Sequence, residues 1–230
     1  MPLDRPVWNA LQTSWAPLAA GCAEALRLDP DFGPFAATDG SAAGAEALRR
    51  FITDGRELWL VEAALPPLPR DVPYTTTAML QMVAGTPLAA GDDSGVRRLG
   101  DADANEMRAL AELTAPGPFL AKTHRIGEFF GIHWRGRLVA MAGTRMRLPG
   151  FAELSGVCTH PEARGKGHAA RLSRLVAVHL QEQGLVPFLH TYPGNAAAVA
   201  LYTALGFEVR SEMVRATFNG AAPMHKSHPG

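Results

Sequence analysis

The sequence is poor in cysteine, lysine and net charge, and it has no long hydrophobic run. Of its 230 residues only two are cysteines, Cys22 and Cys158, which are too few for a disulfide framework. Its 22 basic residues, of which only three are lysines, balance 22 acidic ones. A neutral chain lacks the excess of positive charge that holds proteins on nucleic acid. No apolar run approaches the roughly 18 residues of a membrane helix. These absences predict a cytoplasmic protein without a nucleic-acid or membrane partner.

The histidines do not have the spacing of metal ligands. His160, His168, His179 and His190 fall in the C-terminal half, but none stands at ligand spacing from a carboxylate or thiol partner. The sequence therefore predicts no bound metal.

The composition changes around residues 85–95, where glycine, aspartate and serine predict a linker at residues 91–95. Before it, the composition predicts helix over residues 8–28, interrupted by Pro17, and a second helix over 42–53 with Ser41 as its N-cap. Strands are predicted at 57–62 and 75–83. Residues 1–90 are thus a smaller N-terminal α/β region, compatible with a packing or homodimerisation unit. Residues 219–230 are predicted to be a flexible tail.

After the linker, strands and helices alternate. Strands are predicted at 96–99, 129–134, 138–147, 151–159, 186–192 and 207–218, and helices at 101–114, 169–183 and 196–205. Asp101 is the predicted N-cap of the first of these helices. This order predicts an α/β fold with a mixed sheet.

A strand, a glycine-containing loop and a helix follow one another between Thr159 and Ala169. The amides of such a loop and the positive end of the helix form an anion site. A P-loop needs four residues between its first glycine and its Gly-Lys pair, and then Ser or Thr, but here Gly167 and His168 follow Gly165-Lys166. A dinucleotide fingerprint would need an acidic residue at the end of the next strand, and residues 187–191 contain none.

A third kind of phosphate loop fits better. Arg164-x-x-Gly167-x-Ala169 resembles the Arg/Gln-x-x-Gly-x-Gly/Ala motif of the GNAT superfamily of acyl-CoA-dependent N-acyltransferases. The segment from Asn195 through Tyr202 to Phe207 is similar to that superfamily's second CoA-contacting segment. The resemblance covers residues 96–218, and residues 153–168 most resemble the glycine N-acyltransferase branch, whose N-terminal half is also diverged.

The resemblance implies a GNAT-type mixed, splayed central sheet flanked by helices, and acetyl-CoA as co-substrate. The strand before the loop would pair with the pantetheine arm, and its amides would polarise the thioester carbonyl. The residues implied to contact acetyl-CoA are Val157, Cys158, Thr159, Arg164, Gly165, Lys166, Gly167, His168, Ala169, Asn195, Ala198 and Tyr202.

Acyl transfer to an amine requires two proton movements. Tyr202 is the predicted general acid, because a phenol with a pKa of about 10 can donate to a departing thiolate. Glu153 is the predicted general base: it lies eleven residues before Arg164, a spacing similar to that of the base in the glycine N-acyltransferases. Alternation along a strand places Glu153 on the same face as Val157.

The predicted function is therefore an N-acyltransferase, a GNAT N-acetyltransferase that acylates a primary amine of a small molecule or amino acid by direct attack. Two alternatives remain open: a non-catalytic acyl-CoA-binding or sensing module, and a peptide N-terminal acetyltransferase. Residues 116–119 fall where this superfamily often has an acceptor-binding loop, although they could equally form a rigid turn. The sequence does not identify the acceptor.

Overall fold

The structure, a computed structural model, describes residues 1–53 and 55–219. The predicted tail at residues 219–230 therefore lies outside the described residues, apart from Asn219. Within the described part of the chain, no helix combines the length and the hydropathy that a membrane span requires.

Five α-helices and eleven strands, together with five short 3-10 helices, make up the described regular structure. The helices are α1 (Pro6–Gln12), α2 (Ala42–Ile52), α3 (Ala104–Thr114), α4 (His168–Glu182) and α5 (Ala196–Ala204). The strands are β1 (Ala19–Gly21), β2 (Ala25–Leu28), β3 (Ala36–Thr38), β4 (Leu58–Glu62), β5 (Thr75–Ala84), β6 (Val96–Leu99), β7 (Phe129–Trp134), β8 (Arg137–Leu148), β9 (Phe151–Thr159), β10 (Val186–Thr191) and β11 (Phe207–Phe218).

Eight strands form one mixed sheet in the order β4-β11-β5-β10-β9-β8-β7-β6, and β1, β2 and β3 form a small separate sheet. Among the described strands of this sheet, only β9 and β10 are parallel neighbours, because helix α4 crosses over between them. They pair from Val186 opposite Phe151 to Phe188 opposite Glu153, and beyond this point they separate. The predicted mixed, splayed sheet flanked by helices is confirmed.

The N-terminal region shares this sheet. Strand β5 lies between β10 and β11, and β4 is the edge strand beside β11. The ladder between β5 and β11 runs from Ala84 opposite Phe207 to Thr75 opposite Thr217, with one irregularity. The predicted linker at residues 91–95 therefore does not separate two sheets, because β5 pairs on both sides with strands from the C-terminal part.

The two faces of the sheet are covered by different layers. On one face Leu172, Val176 and Leu180 of α4 lie at helical spacing and pack with residues such as Leu154. On the other face α1 and the N-terminal aromatics, among them Phe35, pack over the sheet. Each fully buried side chain of this kind contributes about 1.5–3 kcal/mol.

Two local predictions are wrong. Residues 19–28 are not helical but form the antiparallel pair β1–β2, which turns after Gly21, where φ is +143°. Asp101 is not the N-cap of α3, because residues 101–103 form a 3-10 turn and Asp103 takes that position. The predicted cap of α2 is confirmed, since the Ser41 hydroxyl accepts a hydrogen bond from the Gly44 amide at 3.0 Å.

An ion pair between the half-buried Arg5 and the buried Glu62 attaches the N-terminal segment to the sheet edge. The Arg5 Nε donates to Glu62 Oε2 at 3.1 Å, and the same guanidinium donates to the carbonyls of Thr38 and Asp39. The Glu62 side chain is 1% exposed. Burial raises the pKa of Glu62 to about 7, although Arg5 acts in the opposite direction.

The raised pKa of Glu62 predicts a stability that depends on pH. Because the folded state binds this proton more tightly than the unfolded chain, the contribution of Glu62 to the free energy of unfolding is greatest below about pH 4.5. It falls by about 3 kcal/mol as the pH rises through about 7. Urea denaturation of the wild type and of Glu62→Gln between pH 4.5 and 8 isolates this change as the difference between them. A difference that stays constant with pH would contradict the assignment.

Candidate functional site

A cleft of about 500 Å³ opens where β9 and β10 separate. Residues 157–159 of β9 line one wall, and residues 190–192 at the end of β10 line the other. The first turns of α4 and α5 complete the cleft. A ligand between these strands therefore reaches two helix N-termini.

The glycine loop leaves the N-terminus of α4 open. Gly165 and Gly167 have φ angles of +77° and +75°, and no atom lies within 4 Å of the position that a Cβ would occupy on either. Gly167 is the N-cap, so no side chain caps the first amides of α4. Uncapped amides and the positive end of a helix bind anions. The predicted anion site is therefore sterically open to the cleft.

The predicted residues of this loop do not all lie in the cleft. Arg164, His168 and Ala169 line it, and the Arg164 Nε donates to the Thr159 carbonyl at 3.4 Å. Partial burial and the neighbouring Lys166 and Arg171 lower the pKa of His168 below its usual value. The Lys166 ammonium instead lies 5.1 Å from the centroid of the Trp134 ring, so the structure does not bring it into the cleft.

A β-bulge changes the direction of the side chains of β9. Cys158 pairs with Met141 and Ser155 with Gly143, so two residues of β9 lie opposite one of β8. Val157 consequently packs against the α4 layer, and Cys158 packs in the cluster formed with α3. The prediction that Glu153 and Val157 share a face is wrong, because the bulge interrupts the alternation.

Glu153 lies at the vertex of the cleft and is 0% exposed. Its two oxygens accept hydrogen bonds from Nε and Nη2 of Arg145, both at 2.7 Å, and Oε1 also lies 2.9 Å from His190 Nδ1. Burial by itself would raise the pKa of Glu153, but Arg145 and His190 outweigh it and lower the pKa to about 2.

These contacts do not favour the predicted role of Glu153 as general base. A carboxylate with so low a pKa is a weak proton acceptor, and both its oxygens are already in use. The same contacts orient His190. Its Nε2 lies 3.1 Å from Gln81 Nε2, an amide nitrogen that can only donate, so the ring proton is on Nδ1 and is donated to Glu153.

Arg145 and Gln81 are residues of this site that the sequence did not predict. Arg145 is a charged side chain of β8 that follows five small or apolar residues, 140–144, and a charge inside a strand of this kind requires a buried partner. This change in composition is the signal for Arg145 in the sequence. Gln81 carries none, because only the pairing of β5 with β10 brings it beside His190.

The predicted residues of α5 lie together on the cleft. The Asn195 Oδ1 accepts a hydrogen bond from the Ala198 amide at 3.2 Å and thus caps α5. Tyr202 lines the same wall, and its ring lies 6.0 Å from that of Phe207. Burial raises the pKa of Tyr202 to about 12, so this phenol keeps its proton at neutral pH.

Among the described residues, the cleft contains neither a reactive thiol nor a cluster of metal ligands. Burial raises the pKa of the Cys158 thiol to about 11, so it is not a thiolate at neutral pH. Among residues 1–53 and 55–219, no three side chains of the metal-ligating types stand together.

The splayed strands and the open helix N-terminus define an acyltransferase-type α/β protein, and comparisons with known proteins identify its family. The family described as FR47-like protein matches residues 129–216. A solved GNAT-family protein from Novosphingobium aromaticivorans is 44% identical, with a TM-score of 0.88, and the match covers 96% of this chain and 100% of that one. The chain belongs to the GNAT family.

Two further comparisons are more distant. A GCN5-related N-acetyltransferase from Kribbella flavida shares the fold, at 21% identity and a TM-score of 0.63 over 94% of this chain and 95% of that one. Mycothiol acetyltransferase from Mycobacterium sp. (strain JLS) is 33% identical over 116 residues, which are 48% of this chain and 36% of that protein. The chain thus matches about a third of the length of this curated relative.

The ion pair at the vertex predicts a large cost of removing one partner. Glu153→Gln leaves the Arg145 charge buried without its counter-ion and should lower the free energy of unfolding by about 3 to 5 kcal/mol at pH 7. Because the pKa of Glu153 is lowered, this contribution is present above about pH 4.5 and is lost as the pH falls towards 2. Urea denaturation at several pH values measures both effects.

The matched control is Glu112→Gln. Glu112 accepts a hydrogen bond from Arg108 at 2.9 Å, but both side chains are exposed, so this variant should differ little from the wild type. A Glu153→Gln protein as stable as the wild type would contradict the buried pair.

Proposed function

We propose that the protein is an acetyl-CoA-dependent N-acetyltransferase that transfers the acetyl group to a primary amine of a small molecule by direct attack. The observation that carries this proposal is the cleft between β9 and β10, which has an open helix N-terminus at one end and a protonated tyrosine in its wall. Membership of the GNAT family supports it.

The residues of the cleft fit acetyl-CoA, which supplies an acetyl group activated as a thioester. The amides of residues 165–169 would bind the pyrophosphate, with Arg164 beside them. The backbone of Val157 and Thr159 would pair with the pantetheine arm, and the Asn195 amide would hydrogen-bond to it. The Thr159 hydroxyl is buried without a hydrogen-bond partner among the described residues, as a ligand site would leave it.

The reaction forms a bond between the amine nitrogen and the acetyl carbon, and it breaks the bond between that carbon and sulfur. The bulge at Gly156 and Val157 leaves backbone groups outside the ladder, and we assign the Val157 amide to the developing oxyanion. Tyr202 donates a proton to the departing thiolate, and the attacking nitrogen releases one proton to solvent water, from which the Tyr202 phenolate is protonated again. We assign Glu153 to hold His190 and Arg145 in place. Because Glu153 then does not remove a proton from the amine, the amine would enter the cleft unprotonated from solution.

The names of the curated relatives do not extend this proposal to mycothiol, because the matches cover only 31% to 54% of the length of those relatives. The resemblance to glycine N-acyltransferases likewise stays a prediction. Two alternatives are a binding module without catalysis and a peptide N-terminal acetyltransferase. Both are tested by measuring the release of CoA from acetyl-CoA with small amines and with short peptides. Binding without release would favour the module, and release with peptides alone would favour the peptide enzyme.

Tyr202→Phe tests the proposed general acid. Removing the phenol should lower kcat about 100-fold, because a positioned proton donor contributes on the order of 10²–10⁴-fold. The Kd for acetyl-CoA should stay the same. Tyr74→Phe is the control: Tyr74 is exposed and packs on Phe218, so its kcat should not change. Equal kcat values for Tyr202→Phe and the wild type would rule out this role.

Gly167→Ala tests the anion site, and Gly184→Ala is its matched control. Both glycines flank α4 with φ near +75° and open space around a Cβ, so each alanine should cost a similar 1–2 kcal/mol of stability, to order of magnitude. Only Gly167 lines the cleft. Calorimetric titration should give an acetyl-CoA Kd about tenfold higher for Gly167→Ala alone. If the wild type fails to bind acetyl-CoA at sub-millimolar concentration, the proposed function is wrong.

A further inference from the structure

A cavity of about 470 Å³ lies between α4 and the connecting segment, residues 85–95, which joins β5 to β6. Its described lining residues are all different from those of the cleft. A volume of this size is typical of a small-molecule site. The cavity is therefore a candidate site separate from the one proposed for acetyl-CoA.

Hydrogen bonds hold the connecting segment over α4 at two points. In the first turn of α4, the Arg171 Nε donates to the Asp92 carbonyl at 2.6 Å. Near the other end of the helix, the Gln181 Oε1 accepts a hydrogen bond from the Leu88 amide at 2.9 Å. These two anchors are about 15 Å apart along the helix axis. The segment therefore bridges this length of α4, and the cavity between them is formed in the free protein.

The floor of the cavity is apolar. It is made by Phe130 of β7 and by Leu175 and Val178 of α4. His179 also lines the cavity, but its Nε2 is already paired with Glu128 at 2.7 Å. The floor thus offers carbon surface on which an apolar group of a ligand can be buried.

Arg174 is a partly buried cation of this cavity, and it has no hydrogen-bond or ion-pair partner among the described residues. Its Cδ lies 2.9 Å from the position that a Cβ would occupy on Gly91, so the missing side chain leaves room for the arginine beside the connecting segment. A guanidinium without a partner can bind a carboxylate through charge-assisted hydrogen bonds.

Two carboxylates of the same cavity are also unpaired. Asp93 and Glu182 line it, and neither side chain has a partner in the part of the chain that the structure describes. Asp92 differs from them, since it lies 3.4 Å from Arg171. A purely anionic ligand would be repelled by Asp93 and Glu182, and a purely cationic one by Arg174. The free charges therefore favour a ligand that carries both signs.

We propose that this cavity binds a zwitterionic α-amino acid with an apolar side chain. Arg174 would bind the carboxylate and Asp93 the ammonium, and the side chain would lie on the floor beside Phe130. Asp93 suits the adjacent charges of an α-amino acid, because it follows two residues after Gly91, which lies against Arg174. Glu182 suits them less well, since eight residues of α4, or about 12 Å of helix, separate it from Arg174.

The lining residues of this cavity are not those of the cleft, so the inference does not rest on the proposed function. Failure of acetyl-CoA to bind would refute that function and leave this proposal intact.

Three related compounds test the proposal by calorimetric titration of the wild-type protein at neutral pH without acetyl-CoA. L-Phenylalanine should bind with a Kd of about 1 mM or lower. The compound without the ammonium, 3-phenylpropionate, and the compound without the carboxylate, 2-phenylethylamine, should each bind at least about tenfold more weakly, because each loses a charge-assisted hydrogen bond. An analogue that binds as tightly as L-phenylalanine, or no binding of L-phenylalanine, would overturn the inference.

Arg174→Gln tests the site itself. This variant should raise the Kd for L-phenylalanine at least about tenfold, because it removes the charge that binds the carboxylate. Its stability should not change, because Arg174 has no partner to lose among the described residues. Arg50→Gln, at an exposed position of α2, is the matched control and should bind as the wild type does. An amino acid bound in the cleft would leave the Kd of Arg174→Gln unchanged, and that result would contradict the proposal.

Filling the cavity provides an independent test. Ala90 is exposed and lines the cavity, so Ala90→Trp should fold and should abolish the binding of L-phenylalanine. The control is Ala43→Trp, at an exposed position of α2, which should leave binding unchanged. If Ala90→Trp binds L-phenylalanine with the wild-type Kd, the ligand lies elsewhere and the inference is wrong.

Discussion

The separation of β9 from β10 is the constraint on which the site depends. The two strands stop pairing after Phe188 and Glu153, and the hydrogen bond from His190 to Glu153 is made at that point. Arg145 balances the buried charge of Glu153, so the vertex holds a compensated polar group and not an unpaired one. Beyond the vertex the described residues of β9 and β10 form no ladder pairs with each other, so both strands can face a ligand in the cleft.

The N-terminal region contributes to the site through the sheet and not as a separate attachment. Strand β5 brings Gln81 beside His190, and the Gln81 amide also donates to the Leu3 carbonyl at 2.9 Å. Arg210 of β11 donates to the Gln81 carbonyl oxygen at 2.8 Å. This chain of buried hydrogen bonds joins the first residues of the protein to the vertex of the cleft. The N-terminal region and the cleft are thus built on one sheet.

Local signals predicted much of this structure. Strand β9 and helix α4 begin and end within one residue of their predicted limits, because alternation, helical spacing and the glycines that bound them are local. The glycine loop was readable for the same reason. Residues 19–28 were not, since their alanine-rich composition suits a helix, while the pairing of β1 with β2 and of β2 with β3 makes them strands. The change of face at Val157 also escaped prediction, because a bulge depends on the partner strand and leaves no mark in the sequence.

The sequence by itself determined the order of the elements, the position of the open helix N-terminus and the presence of Tyr202 in the segment that follows it. These depend on residues close together in the chain, whose conformations are set by local sterics and hydrogen bonding. Only the tertiary structure decided the protonation state of Glu153, since that carboxylate is buried between Arg145 on one neighbouring strand and His190 on the other. It also decided that the N-terminal region completes the sheet. Electrostatics and strand pairing act through space, and the chain brings these groups together only when it folds.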